Sequence, residues 1–207
     1  MNTLMHMCCA PCANQPIRQL REEGISVSGF WFNPNIHPYT EYQARKATLE
    51  AYAKEIGMKL IIGGTYDLRP FVTAVAGNID ARCGYCYLVR MEETAKYAAA
   101  NGFDSFTTSL LISPYQNHEM IISVGQAMGE KYGVEFLPRD FRPLFRDGQD
   151  YAREHGMYMQ KYCGCIFSEE DRYMAAKRKK QQRKLETMKN GGRESSSREG
   201  SSRKSSG

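Results

Sequence analysis

The seven cysteines of this 207-residue chain fall into three clusters: Cys8, Cys9 and Cys12 in MHMCCAPC, Cys83 and Cys86 in RCGYC, and Cys163 and Cys165 in YCGC. None stands alone, whereas scattered core cysteines behave as small hydrophobes and do not gather. A C-x-x-C on a turn entering a helix lets both sulfurs reach one metal, and a helix N-terminus favours the thiolate. Two ligands do not complete a site. Tetrahedral zinc and cubane iron–sulfur clusters each take four, so Cys83 and Cys86 must borrow from another cluster, and the N-terminal cysteines are the obvious donors. Zinc ribbons place their two knuckles within ~15 to 20 residues of each other. Here the clusters lie about 75 residues apart, which favours a cofactor site built on a fold with its own core over a metal-stapled unit. Spacing alone does not separate zinc from iron–sulfur, since the closely spaced ferredoxin run is absent as well.

The CGC pair differs in kind. Sulfurs at i and i+2 close a disulfide only in a tight, strained ring, and strained disulfides are the easily reduced, catalytic ones. The alternative is that both thiolates bind a second metal. A thioredoxin-like role for Cys83 and Cys86 is disfavoured, because that motif follows the first strand of its fold and stands without additional cysteines.

What must position these thiols is legible in the hydrophobic periodicity. LMHM reads as a short buried strand running into the first cysteines, and ANQPIRQLREEG as a helix closed by Gly24. Strand-like ISVSGFWF, MKLIIGG, FDSFTTSLLIS and VEFLPRDF follow. Helical YTEYQARKATLEAYAKEIG, YCYLVRMEETAKYAAANG and QNHEMIISVGQAMGEKYG separate them, and GQDYAREHGMYMQ is a last helical stretch. DLRPFVTAVAGNIDARCG is expected to be a loop. Five short strands alternating with helices predict an α/β fold: an open, mostly parallel, Rossmann-like sheet of the nucleotide-hydrolase kind, with helices on both faces. Ligands of such sheets bind beyond the strand carboxyl ends. Cys8, Cys9 and Cys12 sit at that edge, where a glycine-rich phosphate loop would otherwise stand.

Composition bounds the rest. With 42% hydrophobic and 25% charged residues the chain reads as an ordinary globular protein. No signal peptide is evident and no run reaches the ~20 apolar residues of a membrane span, so the expected setting is cytoplasmic with no membrane partner. In that setting cysteines serve metal or redox chemistry more often than structural disulfides. The net charge of +5 is unevenly spread: residues 177–207 carry eleven Lys or Arg against three Glu, which leaves 17 basic and 20 acidic residues before them. The expected organisation is one α/β domain over residues 1–176 and a basic, Ser/Gly-rich, disordered tail over 177–207, either solubilising or attracted to RNA phosphates.

Four segments, MHMCCAP, RCGYCYLVRMEETA, FTTSLLISPYQNH and YCGCIFSEEDR, in this order and at these distances, resemble the epoxyqueuosine reductase QueH family over roughly residues 3 to 175. The resemblance implies an iron–sulfur oxidoreductase for the last step of queuosine biosynthesis, converting the epoxide of epoxyqueuosine in the tRNA anticodon to the alkene of queuosine. It implies a 4Fe-4S cluster on Cys8, Cys9, Cys83 and Cys86, with Cys163 and Cys165 as a redox-active pair, and it admits an additional mononuclear iron. An electron donor is required and is not identified. Cys12 is not an invariant part of the family pattern, and its role stays open.

Removing an epoxide oxygen as water takes two electrons and two protons, so a proton donor must reach the leaving oxygen. His6, Tyr85 and His118 are candidates by position, although His6 on a strand fits a core histidine better. Tyr115, Asn117, His118 and Arg142 are candidate substrate contacts, since aromatic and arginine side chains around an unstacked base fit RNA recognition; the plainer reading is that they order a loop. Two competing functions remain: an ATP-dependent tRNA thiolation-type enzyme, which should carry a Ser/Gly-rich pyrophosphate loop where CCAPC stands, and a zinc-stabilised RNA-binding module.

Overall fold

The protein is described from a computed structural model covering residues 1–175, 177 and 179–183. Five strands, β1 (Asn2–His6), β2 (Ser26–Trp31), β3 (Leu60–Ile62), β4 (Ser105–Thr108) and β5 (Glu135–Phe136), form one sheet in the order β3-β2-β1-β4-β5. Every neighbouring pair is parallel, from Asn2 beside Ser26 to Phe106 beside Phe136. Parallel strands need crossovers, and helices supply them: α1 (Ala10–Glu22), α2 (Tyr39–Glu55), α3 (Leu68–Val75), α4 (Arg82–Ala100) and α5 (His118–Tyr132), with α6 (Phe145–Glu154) after the sheet. The central strands are buried on both faces, which is why LMH and SFTT read as continuous rather than alternating patterns.

The expected α/β class, the five strands and the parallel sheet are all present. Several boundaries differ from the sequence reading, three of them as follows. Residues 67–84, expected as loop, contain α3, capped by the Asp67 carboxylate accepting from the Arg69 N–H, with Phe71 and Val75 buried one turn apart. The fourth strand stops at Thr108, whose hydroxyl accepts from the Leu110 N–H and opens a 3-10 turn over Ser109–Ile112. α6 begins at Phe145 and ends at Glu154, three residues before and six before the expected limits. In each case a local side-chain cap or turn, which carries little periodic signal, sets the boundary.

Strand order makes β1 the switch point. The chain steps from β1 outward to β2 and β3, then returns to the other side of β1 for β4 and β5. Crossover helices on opposite sides of that reversal leave a crevice at the carboxyl ends of β1 and β4. Helices in such crossovers run antiparallel to the strands, so the N-termini of α1, α2, α4 and α5 all lie at that edge.

The α5 to β5 turn shows how tightly the layers meet. A Cβ on Gly129 would stand 2.7 Å from the Val134 carbonyl oxygen and 3.3 Å from the Phe136 nitrogen. Gly to Ala inside a helix ordinarily gains about 1 kcal/mol. Here the backbone of the next strand blocks the methyl, and Gly129→Ala is expected to destabilise by about 1–3 kcal/mol, seen as a lower denaturant midpoint with an unchanged slope; a rise in the midpoint would contradict this packing.

The chain divides into two compact units, Met1–Gln160 with Gly164–Ile166, and Lys161–Cys163 with Phe167–Gly207. The first holds the sheet and its helices. Of the second, residues 161–163 form bends and 167–175 are helical, as are 177 and 179–183. The expected tail, 177–207, otherwise lies outside the described residues. No helix among the described residues is long and apolar enough to cross a membrane.

Candidate metal centre

Cys8 and Cys9 follow β1 directly, and Cys9 is the N-cap residue of α1, extended at φ −175° with no side-chain cap bond. Pro11 occupies the first turn, where a missing N–H costs nothing. Cys12 then stands three residues after the cap, on the same side of the first turn. The three sulfurs lie within 4.8 Å of one another, with 3.8 Å between those of Cys8 and Cys9, and all three residues are buried. Tetrahedral bonds of ~2.3 Å to one metal separate sulfurs by about 3.8 Å, so the group could hold a metal ion. Cys12, which the sequence pattern set apart, is therefore a full member, because cap and N3 positions face each other across one helical turn.

Hydrogen-bond donors converge on these sulfurs. The Ser109 hydroxyl, from the turn after β4, lies 3.8 Å from Cys8 Sγ and accepts the Cys8 N–H at 3.3 Å. Gln160 Nε2 donates to Cys12 Sγ at 3.2 Å. Thiol hydrogen bonds from Cys12 and Cys9, helped by the Arg45 charge, pull the Cys8 thiol well below its ordinary range against its burial. Burial pushes Cys9 up, and donation toward Cys8 and Cys9 pushes Cys12 up. The arrangement suits one thiolate with two thiols donating to it, which is how a sulfur-only donor set holds charge before a metal replaces the protons.

Cys83 and Cys86 occupy the first turns of α4, since the helix starts at Arg82 rather than at the expected Tyr85. That places them at the same edge of the sheet. Cys83 is exposed and Cys86 buried. Arg90, one turn further along, donates Nη2 to Cys86 Sγ at 2.9 Å and Nε to the Cys86 carbonyl at 2.8 Å. The same guanidinium acts on His6 at the end of β1. Among the described residues, the sulfurs close enough to share one ion are those of Cys8, Cys9 and Cys12, and Cys83 and Cys86 are not in that group.

His6 is fully buried, with Nδ1 2.9 Å from Thr108 Oγ1 and Nε2 3.2 Å from both the Phe32 carbonyl and Asn33 Oδ1. Two acceptors facing Nε2 assign the proton there. Burial first, and the Arg90 charge second, push its pKa down to about 3. It is a neutral core histidine that locks the ends of β1, β2 and β4 together.

Of the CGC segment, Gly164 and Cys165 belong to the first unit and Cys163 to the second. Gly164 adopts φ +148°, and its carbonyl accepts the His37 N–H at 2.8 Å. A Cβ there would meet Ile36 Cγ1 at 3.3 Å and Arg45 Nη1 at 3.4 Å. Glycine is required on both counts, and it seats the segment on the loop beyond β2. Cys165 is buried and Cys163 exposed, and none of the seven cysteines forms a disulfide in this structure.

The candidate substrate contacts also follow the carboxyl ends of β4 and β5. Tyr115 is 84% exposed and meets Phe145 edge-on at 5.9 Å. Asn117 caps α5 by accepting the Met120 N–H at 3.0 Å, and His118 Nε2 donates to the Leu111 carbonyl at 2.7 Å. Arg142 forms a bidentate pair with Asp140, at 2.8 and 2.7 Å. Asn117, His118 and Arg142 thus order their own loops, while Tyr115 presents its ring outward. Tyr85 lies against Phe71, with ring centroids 6.1 Å apart. Beyond β3, a groove of about 940 Å³ is lined by Tyr66, Asp67, Arg69 and Thr73 among others.

Arg45, Arg90, Ser109 and Gln160 were not singled out from sequence. For Arg90 a signal existed: Cys86 and Arg90 are four apart on one helix face. Ser109 and Gln160 reach the sulfurs only through the fold.

Comparison with known proteins follows the geometry. A protein-family model described as epoxyqueuosine reductase QueH matches residues 3–171. A curated protein named epoxyqueuosine reductase QueH from Dehalococcoides mccartyi is 36% identical over 170 residues, covering 82% of this chain and 93% of that one. Its namesake from Thermotoga maritima is 36% identical over 174 residues, covering 80% and 88%. That from Streptococcus pyogenes serotype M1 is 31% identical over 177 residues, covering 80% and 69%.

Proposed function

Because the chain belongs to the epoxyqueuosine reductase QueH family, we propose that it removes the epoxide oxygen of epoxyqueuosine in tRNA with a 4Fe-4S cluster held by Cys8, Cys9, Cys83 and Cys86. The enzyme is an oxidoreductase of queuosine biosynthesis, and its substrate is a tRNA. The observation that supports the cluster reading is the gathering of buried thiols at the switch point of the sheet, Cys8, Cys9 and Cys12 within 4.8 Å of one another, with Cys83 and Cys86 on the first turns of α4, whose N-terminus lies at the same sheet edge. Sulfur-only donors suit soft metals and iron–sulfur clusters, and N–H and O–H groups directed at ligand sulfurs are the outer shell such centres use.

When bound, an iron–sulfur cluster supplies electrons singly, while the reaction consumes two electrons and two protons and releases water. Cys163 and Cys165, as a dithiol that closes to a disulfide, yield two electrons and two protons, the whole of what the reaction consumes, and a cluster on the neighbouring cysteines would relay those electrons one at a time. An external electron donor then restores the thiols. Cys12 can complete a second, mononuclear iron site beside Cys8 and Cys9. Tyr115, with its ring in solvent, offers a stacking face for an unpaired base of the anticodon loop, and Asn117, His118 and Arg142 shape the wall beneath it. His6 serves the site by holding three strand ends in register rather than by donating a proton, since its imidazole is neutral. The setting that fits a tRNA-modifying enzyme is the cytoplasm.

Anaerobically reconstituted protein is expected to be brown, to contain iron and sulfide, and to convert epoxyqueuosine in tRNA to queuosine, followed by nucleoside mass spectrometry. Colourless protein with stoichiometric zinc and no iron under those conditions would sink the cluster reading.

A further inference from the structure

Two arginines are among the most deeply buried side chains of the first unit, Arg45 and Arg90, each 1% exposed. Burying a guanidinium costs several kcal/mol unless negative charge faces it. Arg90 places Nη2 2.9 Å from Cys86 Sγ, a short, charge-assisted contact, and its Nε bond to the Cys86 carbonyl sets the angle of approach. Its plane lies 5.9 Å from the Tyr87 ring centroid. Arg45 is ion-paired with Glu41 at 2.7 Å, so a carboxylate answers its charge.

We infer that Arg90 is a positioning residue which orients Cys86 and places fixed positive charge beside the cofactor, making its reduction easier. This inference rests on the cluster reading of the preceding section. A cluster held by thiolates gains a further negative charge on reduction, and in a buried site that charge is stabilised by cations that cannot reorganise or deprotonate. Arginine adds to its charge a planar fork that engages carbonyl and sulfur at once, which an ammonium lacks. The contact also fixes the Cys86 rotamer, so the ligand is aimed before the cofactor arrives.

The test compares full-length wild type, Arg90→Gln and Arg90→Lys after anaerobic reconstitution, with iron and sulfide counted and the potential of each cluster titrated by electron paramagnetic resonance. Arg90→Gln removes the charge and is expected to lower the reduction equilibrium constant at least tenfold, a shift of about 59 mV for a one-electron couple. Arg90→Lys keeps the charge without the fork and is expected to stay within about threefold of wild type in that constant. Failure of Arg90→Gln alone to take up iron and sulfide supports the same need for charge. Equal loading with unchanged potentials overturns the inference, as does loss of loading in both variants, which would make Arg90 a packing residue. Wild type that takes up no iron or sulfide defeats the cluster reading itself, a separate outcome.

Discussion

Cys83→Ser is expected to yield a folded protein that takes up less than about a tenth of the wild-type iron and sulfide, a loss of at least 1.4 kcal/mol in cluster binding. Cys83 is exposed on the first turn of α4, so exchanging sulfur for oxygen removes no core packing and leaves the helix start intact. Serine is a hard, protonated donor at neutral pH and a poor ligand for a centre that selects thiolates. The measurement pairs iron and sulfide analysis with far-ultraviolet circular dichroism. Wild-type loading in this variant removes Cys83 from the ligand set; loss of the helical signal would show instead that the centre staples the fold, contrary to a cofactor carried on a scaffold with its own core.

Cys163→Ala is expected to behave in the opposite way: normal iron and sulfide, an unchanged visible spectrum, and turnover reduced by at least two orders of magnitude, or about 2.7 kcal/mol of barrier. Cys163 is exposed, so its removal costs little stability. On the proposed role, the dithiol cannot close to a disulfide without it, and the two electrons and two protons it would supply are lost. Single-turnover conversion of epoxyqueuosine in tRNA reads this directly. Near-normal conversion would refute the dithiol role, whereas loss of the cluster spectrum would place Cys163 among the ligands or at a second iron.

The two variants separate storage of the cofactor from delivery of electrons, and the physical basis is the same as for Arg90. A buried, pre-formed sulfur group is costly to assemble and sensitive to single ligands, while exposed residues around it are free to change chemistry without changing the fold.

Much of this protein was legible in its residues because the relevant signals are local and periodic. Buried strands of four or five residues between helices of three or more turns specify a parallel sheet, since only crossovers can join parallel neighbours. That in turn puts Cys8 and Cys9 at a strand end and Cys83 and Cys86 at a helix start, where ligands bind. The boundaries that differed, α3 inside an expected loop and the shortened β4, are set by Asp67 and Thr108 acting as caps, and one capping hydrogen bond leaves no periodic trace.

What the linear order could not determine is which side chains meet. Cys12 joins Cys8 and Cys9 because the chain folds over one helical turn at that point. Arg45, from α2, reaches the position of Gly164, more than a hundred residues later in the chain. Ser109 and Gln160 reach the sulfurs by the same long-range route. By itself the sequence determined the layered architecture and the sheet edge at which Cys8, Cys9, Cys83 and Cys86 stand, because backbone periodicity is a property of short segments. The charge, donors and partners surrounding those sulfurs were decided only by the tertiary structure, because they depend on contacts between residues that sequence separation does not constrain.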